Sequence, residues 1–334
     1  MKKNIRMINN IQFLRCFAAL YVVMYHIPAI IKKYDLGTYD PLEVGHWGAF
    51  GVDIFFVISG YIMAKISSKK DRTATSFMKE RATRILPLYI SLTLLLVFIQ
   101  HITPTIFNTL YDSRQNIGSL LLISHFIGYD YPTLYVGWSL ELEMFFYVCF
   151  AFSMLAKNEN TRIALLLTLI FLSLSLGFIF PISIEFMYGI LIYKIEKSVG
   201  KLNVKPFWFY FSFIFLSIIA IMLNSDASPN STSRPFTYGA ISFFIVLSAV
   251  LFKDTKKSFI TTIGDSTYSI YLTQVFSIPL VIKVASALHL DECPQVIFFV
   301  TLLVVTAIGM LSYIFLEKNI NKIFKSLNSI SSKH

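Results

Sequence analysis

Charge is what this sequence has least of. Only 14% of its 334 residues are Asp, Glu, Lys or Arg, against roughly a quarter in a soluble domain. With 55% hydrophobic residues and a mean hydropathy of +0.65, the shortfall excludes a chain whose surface faces water throughout. Cysteine is nearly absent too. Cys16, Cys149 and Cys293 make no disulfide framework, and two of them lie in apolar runs. No group of His, Cys and carboxylates has ligand spacing, so no metal site is expected. There is no repeat of 20–50 residues and no low-complexity tract, and no attached soluble domain is expected. Nor is a cleavable signal peptide expected. The first apolar run, 11–31, is too long for an h-region, carries Arg15 and His26, and has no small-x-small cleavage site.

The net charge of +10 would suit a nucleic-acid binder only if the cations formed a patch. They fall instead into short segments between apolar runs, which makes the bilayer the expected partner and nucleic acid an excluded one. A helix needs about 20 apolar residues to cross the hydrocarbon core. Ten stretches answer: 11–31, 48–66, 85–103, 134–156, 162–180, 182–196, 207–223, 236–252, 267–288 and 295–316. The sixth is the weakest, being short and separated from the fifth only by Pro181. The run 117–128 is too short to span and is expected to be re-entrant or interfacial.

Cation placement tests that count. With the N-terminus inside, the inner segments hold Lys2, Lys3 and Arg6; Lys65, Lys69, Lys70, Arg72, Lys79, Arg81 and Arg84; Lys157 and Arg162; Lys194, Lys197, Lys201 and Lys205; Lys253, Lys256 and Lys257; and Lys318, Lys322, Lys325 and Lys333. That makes 23 cations inside, against Lys32, Lys33, Arg114 and Arg234, four in all, outside. One missed helix would invert every later loop. The chain is therefore expected to be an all-α polytopic membrane protein of about ten transmembrane helices with both termini cytoplasmic. Residues 1–10 and 318–334 form the expected cytoplasmic ends, 11–317 the membrane domain, and the outer loop 104–133 has room for a lid.

An ionisable group within a span costs at least about 2.5–3.5 kcal/mol on insertion scales, so each is a functional candidate. Arg15 and His26 are eleven residues apart on the first span. Eleven steps of about 100° overshoot three turns by only about 20°, so the two side chains leave one face about 16 Å apart along the axis. That stripe suits a long substrate with an anionic head. A snorkelling Arg and a hydrogen-bonded His are the plain alternative. Glu141 and Glu143 in the fourth span are about 200° apart around the helix, so one is expected to be functional and the other structural. Helix capping or solvation accounts for Asp53 as well as a site does. Ser59-Gly60 reads as close helix packing. Arg81 and Arg84, in an inner loop from Phe77 to Tyr89, can grip phosphates or simply supply inside charge. Snorkelling suffices for Glu185 and Lys283.

Five segments in order resemble the acyltransferase-3 family of bacterial membrane proteins, from about residue 10 to 318. They are Ile11-Gln12-Phe13-Leu14-Arg15 with His26; GVDIFFVISGYI at 51–62; RATRILPLY at 81–89; WSLELEMFFY at 138–147; and the run from Gly264 to Leu272 with Ser312-Tyr313 and Glu317-Lys318. The first two look closest to the branch that acetylates exported exopolysaccharides.

The resemblance implies transfer of an acetyl or other short acyl group from cytoplasmic acyl-coenzyme A, a co-substrate rather than a bound cofactor. The implied acceptor is a sugar hydroxyl of a surface glycan or lipid-linked oligosaccharide, and the implied location is the bacterial cytoplasmic (inner) membrane. It places the family's arginine and essential histidine on Arg15 and His26, its carboxylate on Glu143, and its basic donor-side motif on Arg81 and Arg84. His26 is then the expected base, with Glu143 orienting it, while Asp53, Trp138 and Ser139 lie on the acceptor side. Many relatives have histidine where this chain has Gln274. No hydrolase-like extracytoplasmic domain of the kind some relatives carry is expected, so one membrane domain is expected to do the whole reaction. A transporter or flippase of a lipid-linked glycan is the rival from another class.

Overall fold

The computed structural model describes residues 8–68, 72–103, 111–290 and 293–323. Lys2, Lys3, Arg6, Lys69, Lys70, Lys325 and Lys333 of the cation count, and 104–110 of the outer loop, lie outside the described residues. The elements in order are α1 (Asn9–Lys33), α2 (Val44–Trp47), α3 (Phe50–Ser67), α4 (Ala74–Ile102), α5 (Ser113–Leu121), α6 (Trp138–Ser153), α7 (Glu159–Ser175), α8 (Glu185–Val199), α9 (Pro206–Leu223), α10 (Tyr238–Leu251), α11 (Phe259–Asp265), α12 (Thr267–Ala287) and α13 (Pro294–Ser312), which runs on into a π-helical turn, Tyr313–Glu317. No strand occurs among the described residues. The protein is an all-α polytopic membrane protein.

A helix stands at each of the ten expected spans. Among the described residues, eight segments are long and apolar enough to cross a membrane: α1, α3, α4, α6 with the turn before it, α9, α10 with the turn before it, α12, and α13 with its extension. The other two, α7 and α8, have 17 and 15 residues and are shorter than a simple crossing needs. The 117–128 stretch folds as the end of α5, a left-handed Leu122 and a single turn at His125–Ile127. One expectation is corrected. The inner loop from Phe77 is helical, because Thr73 caps α4 by accepting the Ser76 N–H at 3.1 Å. Arg81 and Arg84 therefore sit on α4.

The described residues divide into two compact units. Unit one draws on Met1–Asp71, Ile179–Thr267 and Ser277–Thr306, and so holds α1–α3 and α8–α11. In it α3 and α8 meet backbone to backbone. A methyl group on Gly60 would lie 2.0 Å from the Phe186 carbonyl oxygen, and one on Gly189 would lie 2.1 Å from that of Val57. Only two glycines allow this approach, which is the packing expected of Ser59-Gly60. Phe56 stacks on Phe186 beside it, ring centres 4.4 Å apart. Lys65 closes one end of the pair with an ion pair to Glu196 at 2.8 Å.

Unit two draws on Arg72–Phe178, Tyr268–Phe276 and Ala307–His334. In it α6 packs on α4 and α7, with Phe77 stacked on Phe150 (5.3 Å) and edge-on to Tyr147 (6.0 Å).

Candidate active site

Helix α1 is unbroken from Asn9 to Lys33, so Arg15 and His26 keep the eleven-residue spacing that puts them on one stripe. Arg15 is buried and His26 half-buried, its ring 4.9 Å from that of Tyr25. The start of α1 is tied to the 249–255 segment through Asn10. Asn10 donates from its amide to the Ala249 carbonyl (3.1 Å), takes the Thr255 N–H on its side-chain oxygen (3.0 Å), and gives its backbone N–H to Asp254 (2.9 Å). One turn on, Arg15 donates to the Gln12 side-chain oxygen at 3.0 Å, and the Gln12 amide donates to Asp265.

At another place in unit one the structure departs from expectation. Asp53 is wholly buried and caps nothing. Both its oxygens receive Arg234, from Nε at 3.1 Å and Nη2 at 2.7 Å. Arg234, counted among the outer cations, is 1% exposed and also donates to the carbonyls of Ala49 and Ala227. Glu185, for which snorkelling suffices in sequence terms, is 0% exposed. It stands against the Asp53–Arg234 pair. Nothing local in the sequence announces this triad. Lys283 is half-buried, with its ammonium 5.8 Å from the Tyr34 ring centre.

In unit two the carboxylates of α6 separate by role. Glu141 is buried and accepts the backbone N–H groups of Ser124 (2.9 Å) and His125 (3.1 Å), which fastens the segment after α5. Glu143 is half-buried and accepts from the Tyr147 hydroxyl one turn along. Arg81 is buried, feels Tyr147 and Glu143, and has an Nε with no partner among the described residues. Arg84, three residues on, is exposed. Tyr268 donates to the Ile85 carbonyl at 2.7 Å and lies in the field of Glu317, Glu143 and Arg84.

Glu317, visible in the sequence only as part of a motif, ends the π-helical turn and accepts the Ser269 hydroxyl at 2.6 Å. Such turns recur at functional sites, and no periodicity argument would find one. Ser139 is buried and bonded to the Tyr271 hydroxyl at 2.7 Å, Tyr271 giving its proton to the Val136 carbonyl at 2.8 Å. Trp138 is half-buried beside it. Gln274 is wholly buried, donates to the Tyr271 carbonyl at 2.9 Å, and leaves its side-chain oxygen without a partner among the described residues.

The family described as "Acyltransferase domain", Acyl_transf_3, matches residues 8–315. The chain belongs to it. This acyltransferase is 30% identical over 294 residues to the exopolysaccharide production protein ExoZ of Rhizobium meliloti, covering 81% of the chain and 89% of the relative. It is 24% identical over 320 residues to the O-acetyl transferase of Shigella phage Sf6, covering 85% of the chain and 87% of that protein. It is also 30% identical over 147 residues to the acyltransferase MdmB of Streptomyces mycarofaciens, 41% of the chain and 36% of the relative. No solved structure matches the acyltransferase.

Proposed function

We propose that the protein is an O-acyltransferase that moves an acetyl or other short acyl group from acyl-coenzyme A to a sugar hydroxyl of an exported polysaccharide. The donor is taken from the cytoplasm and the protein resides in the bacterial inner membrane, both ends inside. The observation that carries this is the Arg15–His26 stripe on one unbroken helix of an acyltransferase domain. The relatives' names, exopolysaccharide production protein and O-acetyl transferase, support the choice of acceptor and acyl group.

In this reading Arg15 holds a phosphate of the donor, an anion that a guanidinium grips through several N–H groups at once. His26 takes the proton of the attacking hydroxyl. The new C–O bond forms as the thioester C–S bond breaks, and the proton passes from the imidazole to the departing thiolate. If His26 instead attacks the thioester first, the acyl group rests on its ring nitrogen before the sugar oxygen takes it. Arg81 and Arg84 are proposed as further donor contacts, supported by the unpartnered Nε of Arg81. Glu143 enters on the family pattern, as a carboxylate the transfer requires. Trp138, Ser139 and Asp53 are assigned to the acceptor on the family pattern, Asp53 with both oxygens held by Arg234.

Purified protein given labelled acetyl-coenzyme A separates this from a glycan transporter. Binding and slow hydrolysis of the thioester are expected, and a chain that ignores the donor while moving a lipid-linked glycan would overturn the proposal. Mass spectrometry of surface glycans with and without the gene identifies the acceptor.

A further inference from the structure

Two groups flank the Gln12 carboxamide, and each accepts only one of its ends. Asp265 can only accept and Arg15 can only donate. The amide is therefore fixed with its nitrogen toward Asp265 and its oxygen toward Arg15. The order of charges matters. A direct Asp–Arg bond would neutralise the guanidinium, whereas a neutral amide between them passes on orientation without passing on charge. All three residues belong to unit one.

The backbone is built to permit this link. Ser258 and Thr261 form a capping box that starts α11, and the helix ends at Asp265. There it lies so close to α1 that a methyl group on Gly264 would fall 2.0 Å from the Gln12 carbonyl oxygen. Gln12 is 3% and Arg15 7% exposed, which removes the competition of water for both bonds.

We propose that Gln12 and Asp265 are positioning residues, which aim the Arg15 guanidinium at the anionic donor without setting a carboxylate directly against it. The inference rests on the reading of Arg15 as a donor contact. It predicts an asymmetry that mere packing does not. Gln12→Glu keeps the shape and the bond to Arg15 but sets a negative charge on it. Asp265→Asn removes the carboxylate that fixes the amide and lets it turn over.

The test uses the full chain in nanodiscs with labelled acetyl-coenzyme A, reading Kd, thioester turnover and melting temperature for each variant. Gln12→Glu is expected to weaken donor binding by about tenfold or more, with turnover at saturation close to wild type. Asp265→Asn is expected to weaken binding less. The double variant Gln12→Glu/Asp265→Asn rebuilds the chain of bonds with amide and carboxylate exchanged. The new amide on α11 can donate to the new carboxylate on α1, and Arg15 donates to that carboxylate as it did to the amide oxygen. The melting temperature of the double variant should recover while its Kd stays weak, because the charge beside Arg15 remains.

Recovery of both would overturn the neutral-spacer proposal, as would loss of melting temperature with no change in Kd in either single variant. Arg15→Ala separates the two levels. If it leaves Kd unchanged, the donor reading of Arg15 falls and the inference with it. If it weakens binding and the Gln12 and Asp265 variants do not, the inference alone falls. Should Gln12→Glu fail to accumulate, Asp265→Asn tests the positioning by itself: weaker donor binding at a near-wild-type melting temperature supports it, and an unchanged Kd overturns it.

Discussion

Asp53 and Arg234, 181 residues apart in the chain, form a two-pronged ion pair of 3.1 and 2.7 Å with neither side chain more than 1% exposed. It joins α3 to the turn that opens α10. A buried pair is costly to assemble, but removing one partner is costlier still, about 3–5 kcal/mol, because a charge is left without compensation. Arg234→Ala is the worst case, since it leaves Asp53 and Glu185 facing each other. Thermal melting in detergent should show Arg234→Ala and Asp53→Ala each strongly destabilised. The double replacement Asp53→Leu/Arg234→Met should be less destabilised than Arg234→Ala. A double variant worse than both single ones would show that the pair adds more than it costs.

His26 is the group on which the transfer depends in our reading. A positioned base contributes about 10²–10⁴-fold, so His26→Ala should lower glycan acetylation by at least two orders of magnitude. Melting temperature and donor binding should stay near wild type, because the ring packs on Tyr25 at a half-buried place. Full acetylation in cells carrying His26→Ala would reject the base and the acyl-carrier versions alike.

The all-α membrane plan, with a helix at each expected span, was legible because the length of an apolar run is a local property of the chain. So was the Arg15–His26 stripe, which needs only a continuous helix. What stayed hidden was long-range. No periodicity pairs Asp53 with Arg234, or turns Glu185 from a snorkelling residue into part of a buried triad. The start of α4 was also misplaced, because the polar turn from Ala74 reads as loop until the Thr73 cap is seen. Gly264 and Glu317 were visible as motif letters only. Their roles, a close approach to Gln12 and the end of a π-helical turn, exist only once helices are packed.

The two carboxylates of α6 should fail differently. Glu141→Ala deprives the Ser124 and His125 amides of their acceptor, and an unsatisfied buried donor costs about 1–3 kcal/mol. Faster hydrogen exchange and earlier proteolysis across residues 118–129 are expected, with donor binding retained. Glu143→Ala should instead keep that segment protected and lose glycan acetylation. The opposite pattern would exchange the assignments.

Outside the spans, one acid carries a pH signature. Asp112 caps α5, and the Gln115 backbone N–H, with the Tyr129 hydroxyl second, holds its carboxyl below the ordinary carboxylate value. The same bond to Asp112 raises the Tyr129 hydroxyl above its usual value. Because the folded-state value of Asp112 is depressed, its contribution is complete above the ordinary value of about 3.9 and is lost as pH falls through the lowered one. The α5 N-terminus should therefore stay protected from neutral pH down to about 4 and fray below that. Hydrogen exchange at Gln115 and Asn116 reads this directly. Asp112→Asn, which can still cap a helix but does not titrate, should remove the acid-dependent step while keeping much of the protection at neutral pH. An unchanged acid step in that variant would assign the titration to another group.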